Sequence, residues 1–370
     1  MKLLIVKMSA LGDVVQALPV AVAIKRQQPG AELHWLVERP SAGLLEDHPV
    51  LDRVLVSPRH AIRGRKSLAI PEIASFVREL RRVRYHAVLD LQGLMKSAIF
   101  VALSRAERKI GFAGGKEPLA AWALNQRLAP FDPDRPALER YLDLLEPLGL
   151  MRPAQVEFGL QPGEKTLQRV RGLLGGMGDD APLVVLHPVA RWESKLWPLG
   201  HWVELGRRLV DEGLEVVLSG SEADRSITSA IAAQVGQGGQ VGQGGQGGQR
   251  GRGSEERGGR RGARGRVRNL AGRTTLKELA ALLSLARVVV CTDTGAMHLA
   301  AAVGTKVVAL FGPTAPWRTG PYGGGHRVLR LGLDCSPCFR RRCDDPRCLK
   351  ELPPAEAARA VGELLDAPQG

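Results

Sequence analysis

The sequence predicts an α/β protein of two domains, each a parallel sheet covered by helices. Strand-like runs of Val, Ile and Leu alternate with helical stretches along the whole chain. At 370 residues there is enough chain for two buried cores. A Pro/Gly/Lys-rich patch at residues 161–165 and a Gly-rich patch at 175–178 break the alternation near its middle. The expected domains are therefore residues 1–165 and 175–350, followed by a helix over 353–370.

In the first half, residues 3–6 read as a strand and 13–25 as a helix, with Pro19 expected to kink it. Residues 32–37 and 54–56 read as strands, and 73–82 has the apolar spacing of a helix. A strand at 87–91, a helix at 94–103 and a helix at 137–148 complete this half. In the second half, strands are expected at 183–186, 216–218, 288–291 and 307–310. A helix covers 202–209, and Thr275 with Glu278 forms the capping box of another that runs to Leu285. The terminal helix is expected to pack back on the first domain.

No apolar run approaches the roughly 20 residues that span a bilayer. Lys7 and Asp13 interrupt the apolar N-terminus and no cleavage site follows, so a cytoplasmic protein is expected. The net charge is +14, but residues 236–268 hold eight arginines and two glutamates, which leaves +8 for the rest. That remainder suits acidic ligands or an anionic membrane surface. The Gly/Gln/Arg composition of 236–268 cannot bury a core and reads as a disordered surface insertion. It also permits an RNA-binding reading, although few aromatics accompany the arginines, so no nucleic-acid partner is expected.

The strongest local signal is Val288-Val-Val-Cys-Thr-Asp-Thr-Gly-Ala-Met-His298. A β-branched run stops at a small polar turn that opens a helix. The free N–H groups and positive dipole end of such a helix suit a diphosphate. Thr294 and the Gly295 amide are expected to face it, while Asp293 caps N–H groups or holds sugar hydroxyls. His298 serves either as a further donor or as packing.

Ligands of open α/β sheets bind beyond the carboxyl ends of the strands. At those ends stand Gly12 and Asp13 after the first strand, and Gln92 and Lys96 after the strand at 87–91. Lys195 follows the strand at 183–186, and Glu222 the one at 216–218. Asp13 reads either as a first-turn acid that favours the helix dipole or as a general base. Lys195 reads as a phosphate contact or a solvated lysine, and Glu222 as a ribose ligand or a first-turn acid. Arg63, Arg65 and Lys66 form a basic loop, either solvated or a clamp for acidic groups. Cys335, Cys338, Cys343 and Cys348 have spacing that suits a structural tetrahedral zinc, with free thiols as the alternative.

Together these segments resemble the lipopolysaccharide heptosyltransferases, a glycosyltransferase family of GT-B architecture with two facing Rossmann-like domains. The resemblance rests on residues 2–13, 90–97, Lys116-Glu-Pro-Leu119, Lys195-Leu-Trp-Pro198, Asn269-Leu-Ala-Gly272, Asp293-Thr-Gly-Ala-Met-His298 and Leu310-Phe-Gly-Pro-Thr314, in this order. It implies an inverting transfer of heptose from ADP-L-glycero-D-manno-heptose, with no cofactor required. The acceptor would be Kdo-lipid A or heptosyl-Kdo-lipid A at the inner face of the inner membrane of a Gram-negative bacterium. Asp13 matches the family base. Gly12, Lys195, Glu222, Asp293, Thr294, Gly295 and His298 match donor-side positions. Arg63, Arg65, Lys66, Gln92, Lys96 and Lys116 match acceptor-side positions. A monomer is expected. A transferase of the same fold that uses a GDP- or UDP-linked sugar is the alternative. The first half is more similar to the enzyme that adds the first heptose, and the Cys335-Ser-Pro-Cys-Phe tail to relatives that add later sugars.

Overall fold

In the computed structural model, which describes residues 1–58, 69–115, 117–237 and 264–367, the apolar runs become two six-stranded sheets. The first contains β1 (Lys2–Val6), β2 (Glu32–Glu38), β3 (Arg53–Ser57), β4 (Arg84–Asp90), β5 (Arg105–Phe112) and β6 (Gln126–Leu128), in the order β3-β2-β1-β4-β5-β6. The second contains β7 (Leu183–His187), β8 (Glu215–Leu218), β9 (Val267–Asn269), β10 (Val288–Thr292), β11 (Lys306–Leu310) and β12 (Arg327–Leu329), in the order β12-β11-β10-β7-β8-β9. Neighbouring strands pair in parallel throughout. Counted within its own half, each sheet has the doubly wound order of a Rossmann-like domain. Helices cover both faces of such sheets, which is why β7 and β10 are buried at every position.

In a doubly wound sheet the winding reverses between the first and fourth strands, which opens a crevice at their carboxyl ends. Here those strands are β1 and β4 in one sheet, β7 and β10 in the other. The polar segments singled out in the sequence therefore gather at two crevices rather than scatter around the sheet edges.

Several elements differ from the sequence expectations. The helix expected over 137–148 is α-helical only at Ala137–Leu142 and continues as a 3-10 turn, Asp143–Leu148. Pro147 has no N–H for the ladder, and Gly149 ends the segment at φ 72°. The first helix runs Leu11–Gln27 with Pro19 inside it. Strands β5, β6, β9 and β12 were not anticipated, because they are charged or only three residues long. Helices Arg39–Leu45, Glu164–Leu174 and Arg225–Gln237 were also missed, as were the four-residue helices Pro316–Thr319 and Arg347–Lys350. The Thr275 capping box forms as expected: the hydroxyl accepts from Glu278 N at 3.3 Å and the Glu278 carboxylate accepts from Thr275 N at 2.8 Å.

The terminal helix, Pro354–Asp366, does not pack back on the first domain as expected. It lies against helix Leu199–Asp211 and strands β10 and β11 of the second sheet. Ala357, Val361 and Leu364 share a core with Trp202, Leu209, Val290 and Leu310. The chain leading into this helix is already committed to the second domain, since Leu349 and Leu352 are buried there and Trp197 Nε1 donates to Leu352 O at 3.0 Å.

The two halves meet along the first helix, which packs on helix Gly295–Ala302 of the second sheet. Val14 and Leu18 from one side and Met297 and Leu299 from the other belong to one continuous buried cluster. Polar ties frame it. Lys277 pairs with Asp47 at 2.9 Å, the Tyr322 hydroxyl donates to Glu139 at 3.0 Å, and Trp317 Nε1 donates to Asp134 at 3.3 Å.

Candidate functional site

The first crevice is built by the turn between β1 and the first helix. Gln92 holds that turn, its side-chain oxygen accepting from Met8 N and Ser9 N, each at 3.0 Å. Lys96 donates to Ser9 Oγ and pairs with Glu38 at 3.0 Å. Both residues were expected on the acceptor side; the structure engages them in bracing the turn that carries Asp13. Asp13 Oδ2 accepts from Ala10 N at 3.0 Å, which fulfils the first-turn role. Its other oxygen accepts from the Tyr141 hydroxyl at 3.3 Å and lies 3.9 Å from Lys7 Nζ. The Asp13 side chain is 41% exposed, so a substrate hydroxyl can reach it.

Sequence reading missed the two groups behind Asp13. Lys7 is buried and donates to Tyr141 Oη at 2.6 Å and to Leu91 O at 3.2 Å. Burial draws its pKa below the usual lysine value, while Asp13 and Asp90 pull it back up. Burial, then the Asp13 charge, raises Tyr141 well above the usual phenol value, so it stays protonated and donates. Lys7 registered in the sequence only as a break in an apolar run. Nothing in the chain linked it to Tyr141, 134 residues away.

The second crevice faces the first across the packed helices. Lys195 Nζ meets Asp293 Oδ2 at 2.6 Å and lies 4.4 Å over the Trp192 ring. Thr319 Oγ1 donates to the same Asp293 oxygen at 3.3 Å. Asp293 was expected to cap N–H groups or hold sugar hydroxyls. Its carboxylate binds the lysine, because a carboxylate with 8% of its side chain exposed needs a charge partner. The loop bearing Lys195 is itself fastened: Ser194 Oγ donates to Arg340 O at 2.6 Å and Ser194 N to Arg341 O at 3.3 Å.

Helix Gly295–Ala302 begins with Thr294 at the cap position, and no side chain caps it. Its first amides are thus open to an anion. His298 is buried in this helix, with Nε2 3.3 Å from Gln16 Nε2 of the first helix. Burial lowers its pKa, which keeps the imidazole neutral. The Gln16 amide nitrogen only donates, so His298 Nε2 accepts and Nδ1 carries the proton. Nδ1 has no partner among the described residues. Gly12 is required by this contact, since a Cβ there would lie 2.5 Å from His298 Cδ2.

A cavity of about 550 Å³ opens at the ends of β7, β8 and β10, a size suited to a nucleotide. Its lining includes His187, Arg191, Ser221, Asp224, Thr275 and Thr294, and Leu11 reaches it from the first domain. Glu222, expected to bind ribose, does not line it. It lies in the exposed 3-10 turn Glu222–Asp224 and pairs with Arg225 at 3.2 Å, and Ser221 and Asp224 are the polar groups of that segment that line the cavity. A larger cavity of about 700 Å³ lies at the far end of the first helix, around Lys25 and His48. At 1.5 Å per residue, Lys25 is about 18 Å along the helix from Asp13, so that space lies away from the carboxylate.

Arg63, Arg65, Lys66 and Lys116 fall outside the described residues. No group of three or more His, Cys, Asp or Glu among the described residues is placed to hold a metal ion. Cys335 and Cys343 are exposed, while Cys338 and Cys348 are half-buried; a Cβ on Gly312 would lie 2.9 Å from Cys348 Sγ.

Burial pushes the His187 imidazole at the cavity wall down to about 4 from 6.5, against a weak upward pull from Asp224. A lowered histidine pKa means the fold favours the neutral ring. Its contribution to stability is complete above pH 6.5 and is lost as pH falls toward 4. From this group alone, stability should drop by about 2 kcal/mol between pH 7 and pH 5. Urea unfolding of the wild type and His187→Gln checks this. The variant should show a pH slope smaller by that amount, and equal slopes would refute it.

Two doubly wound sheets with facing crevices, an uncapped helix terminus beside a half-buried lysine, and an accessible carboxylate opposite are the parts of a GT-B nucleotide-sugar glycosyltransferase. Lipopolysaccharide heptosyltransferase 1 of Pseudomonas aeruginosa is 31% identical, over 100% of this chain and 99% of its own length. Lipopolysaccharide heptosyltransferase 2 of Salmonella typhimurium is 28% identical, over 90% of this chain and 88% of its own. Among solved structures, the Escherichia coli heptosyltransferase WaaC with ADP superposes with a TM-score of 0.75 at 25% identity, covering 98% of this chain and 100% of that one. Residues 73–241 and 250–348 match glycosyltransferase family 9 (heptosyltransferase), and the chain belongs to that family.

Proposed function

We propose that this enzyme transfers heptose from ADP-heptose to the inner core of lipopolysaccharide, with inversion and with Asp13 as general base. The observation that carries this reading is the juxtaposition of crevices. Leu11, two residues before Asp13, lines the same cavity as Thr294 at the helix terminus. A donor whose diphosphate rests at that terminus would present its sugar toward the turn that carries the base.

Asp13 takes the proton of the acceptor hydroxyl as its oxygen bonds to the anomeric carbon. The bond from that carbon to the diphosphate oxygen breaks, and its electron pair leaves with ADP. Attack opposite the leaving group inverts the centre. Lys195, the first amides of helix Gly295–Ala302 and its dipole stabilise the charge that grows on ADP. Asp293 accepts from the Lys195 ammonium through Oδ2 at 2.6 Å and through its carbonyl at 3.4 Å, which leaves one proton for a phosphate oxygen. Tyr141 and Lys7 keep the Asp13 carboxylate oriented until the acceptor arrives. Arg63, Arg65, Lys66 and Lys116 are assigned to the acidic sugars of the acceptor.

The test is a matrix of ADP-, GDP- and UDP-linked sugars against truncated lipid A cores, read as turnover. Thermal shifts with the free nucleotides run beside it. ADP at about 100 times its Kd should stabilise the protein by about 2.7 kcal/mol, and GDP and UDP should not. A shift with GDP or UDP in place of ADP would sink the donor assignment, and turnover on none of the cores would sink the acceptor.

A further inference from the structure

The first domain carries an exposed apolar face that the transfer chemistry does not use. Helix Met95–Leu103 places Met95, Ile99 and Leu103 at i, i+4 and i+8, on one stripe. Met95 and Ile99 are exposed. The 3-10 segment Pro118–Ala123 packs beside this helix, and Glu117 accepts from Met95 N at 2.7 Å, which joins the two elements at one end. That segment holds Leu119 at 79% and Trp122 at 55% exposure. On the other side, Ile70, Ile73, Ala74 and Val77 of helix Ala69–Arg82 form a shallow apolar groove with Leu103, edged by Arg78 and Arg81. Ile70 is 68% exposed. Isolated apolar side chains on a surface need no explanation, but a patch built from three adjoining elements does.

We propose that this face docks on an anionic bilayer surface and holds the enzyme there while a lipid-linked acceptor enters the cleft. Charge favours that occupant. Arg78 and Arg81 edge the apolar groove, and the chain as a whole carries a net +14. Basic residues near an anionic surface each contribute about 1 kcal/mol of attraction. Trp122, Leu119 and Ile99 are the residue types that settle at the headgroup level. No helix among the described residues is long and apolar enough to cross a membrane, so contact by a face fits better than insertion of a span. Position also favours it. Met95 stands at the end of the stripe nearest the site, since its neighbour Lys96 reaches Ser9 in the turn that carries Asp13. An acceptor could keep its acyl chains in the bilayer and extend its sugars over that rim. The choice of acceptor rests on the proposed function above; the docking itself does not.

Flotation of the full chain with vesicles tests it. The wild type should float with phosphatidylglycerol/phosphatidylethanolamine vesicles, and less with phosphatidylcholine alone. Leu119→Ser/Trp122→Ser should partition at least about tenfold less, and Arg78→Glu should lose the preference for anionic vesicles. Both variants should keep the wild-type melting temperature and should match wild-type turnover on a water-soluble, deacylated acceptor. Equal flotation of wild type and the double variant would overturn the proposal, as would no flotation of the wild type. So would light scattering that shows a wild-type dimer made monomeric by the double substitution, because the face would then bind a second copy. Failure of the wild type to turn over the deacylated acceptor would count against the acceptor assignment and leave the flotation result standing.

Discussion

Asp13→Asn should lower turnover by at least about 10³-fold while ADP binds as before. The amide oxygen can still accept from Ala10 N, so the first turn of the helix keeps its cap. The Tyr141 hydroxyl then faces the amide nitrogen, from which it can accept, and Lys7 keeps Tyr141 Oη and Leu91 O. What the variant loses is a group that can take a proton. The donor cavity is lined from the second domain and by Leu11, so ADP has no direct call on the carboxylate. Single-turnover rates with ADP-heptose and isothermal titration with ADP read the two effects separately. Turnover within a few fold of wild type would remove Asp13 from the role of base. A matching loss of ADP affinity would make it a donor-binding group instead. Tyr141→Phe provides the comparison, since it removes the hydrogen bond to Asp13 and leaves the base in place.

The fold was legible because parallel strands buried on both faces must be apolar throughout. Such runs at residues 183–187 and 288–292 announce themselves. The edges were not legible. β6, β9 and β12 read QRL, VRN and RVL and are strands only because a neighbour offers them a ladder. The path of helix Pro354–Asp366 was equally hidden, since its apolar stripe suits either domain and only the burial of Leu349 and Leu352 decides between them. At the site, residues next to a strand end were found because the crevice follows from strand order. The groups that hold them, Tyr141 for Asp13 and Ser194 for the Lys195 loop, were missed because contacts across 128 and 146 residues leave no local pattern. Glu222 is placed differently. A plausible acid at the expected strand end turns toward Arg225, and its neighbours Ser221 and Asp224 line the cavity.

Lys195→Ala should have two effects that a second substitution separates. Removal of the ammonium takes away a positive group at the leaving diphosphate, and loss of one such stabilising donor lowers turnover about 10²–10³-fold. It also leaves Asp293 buried with only the Thr319 hydroxyl and no cation, and an uncompensated buried charge costs about 3–5 kcal/mol. A melting-temperature drop alone would therefore say nothing about catalysis. Lys195→Ala/Asp293→Asn removes the charge as well as its partner, so most of the stability should return. Turnover should not return, because the amide supplies nothing to the diphosphate. Urea unfolding and single-turnover rates on the two variants decide between the roles. If stability and turnover recovered together in the double variant, Lys195 would be a structural counter-charge for Asp293, and stabilisation of ADP would have to come from the helix terminus alone.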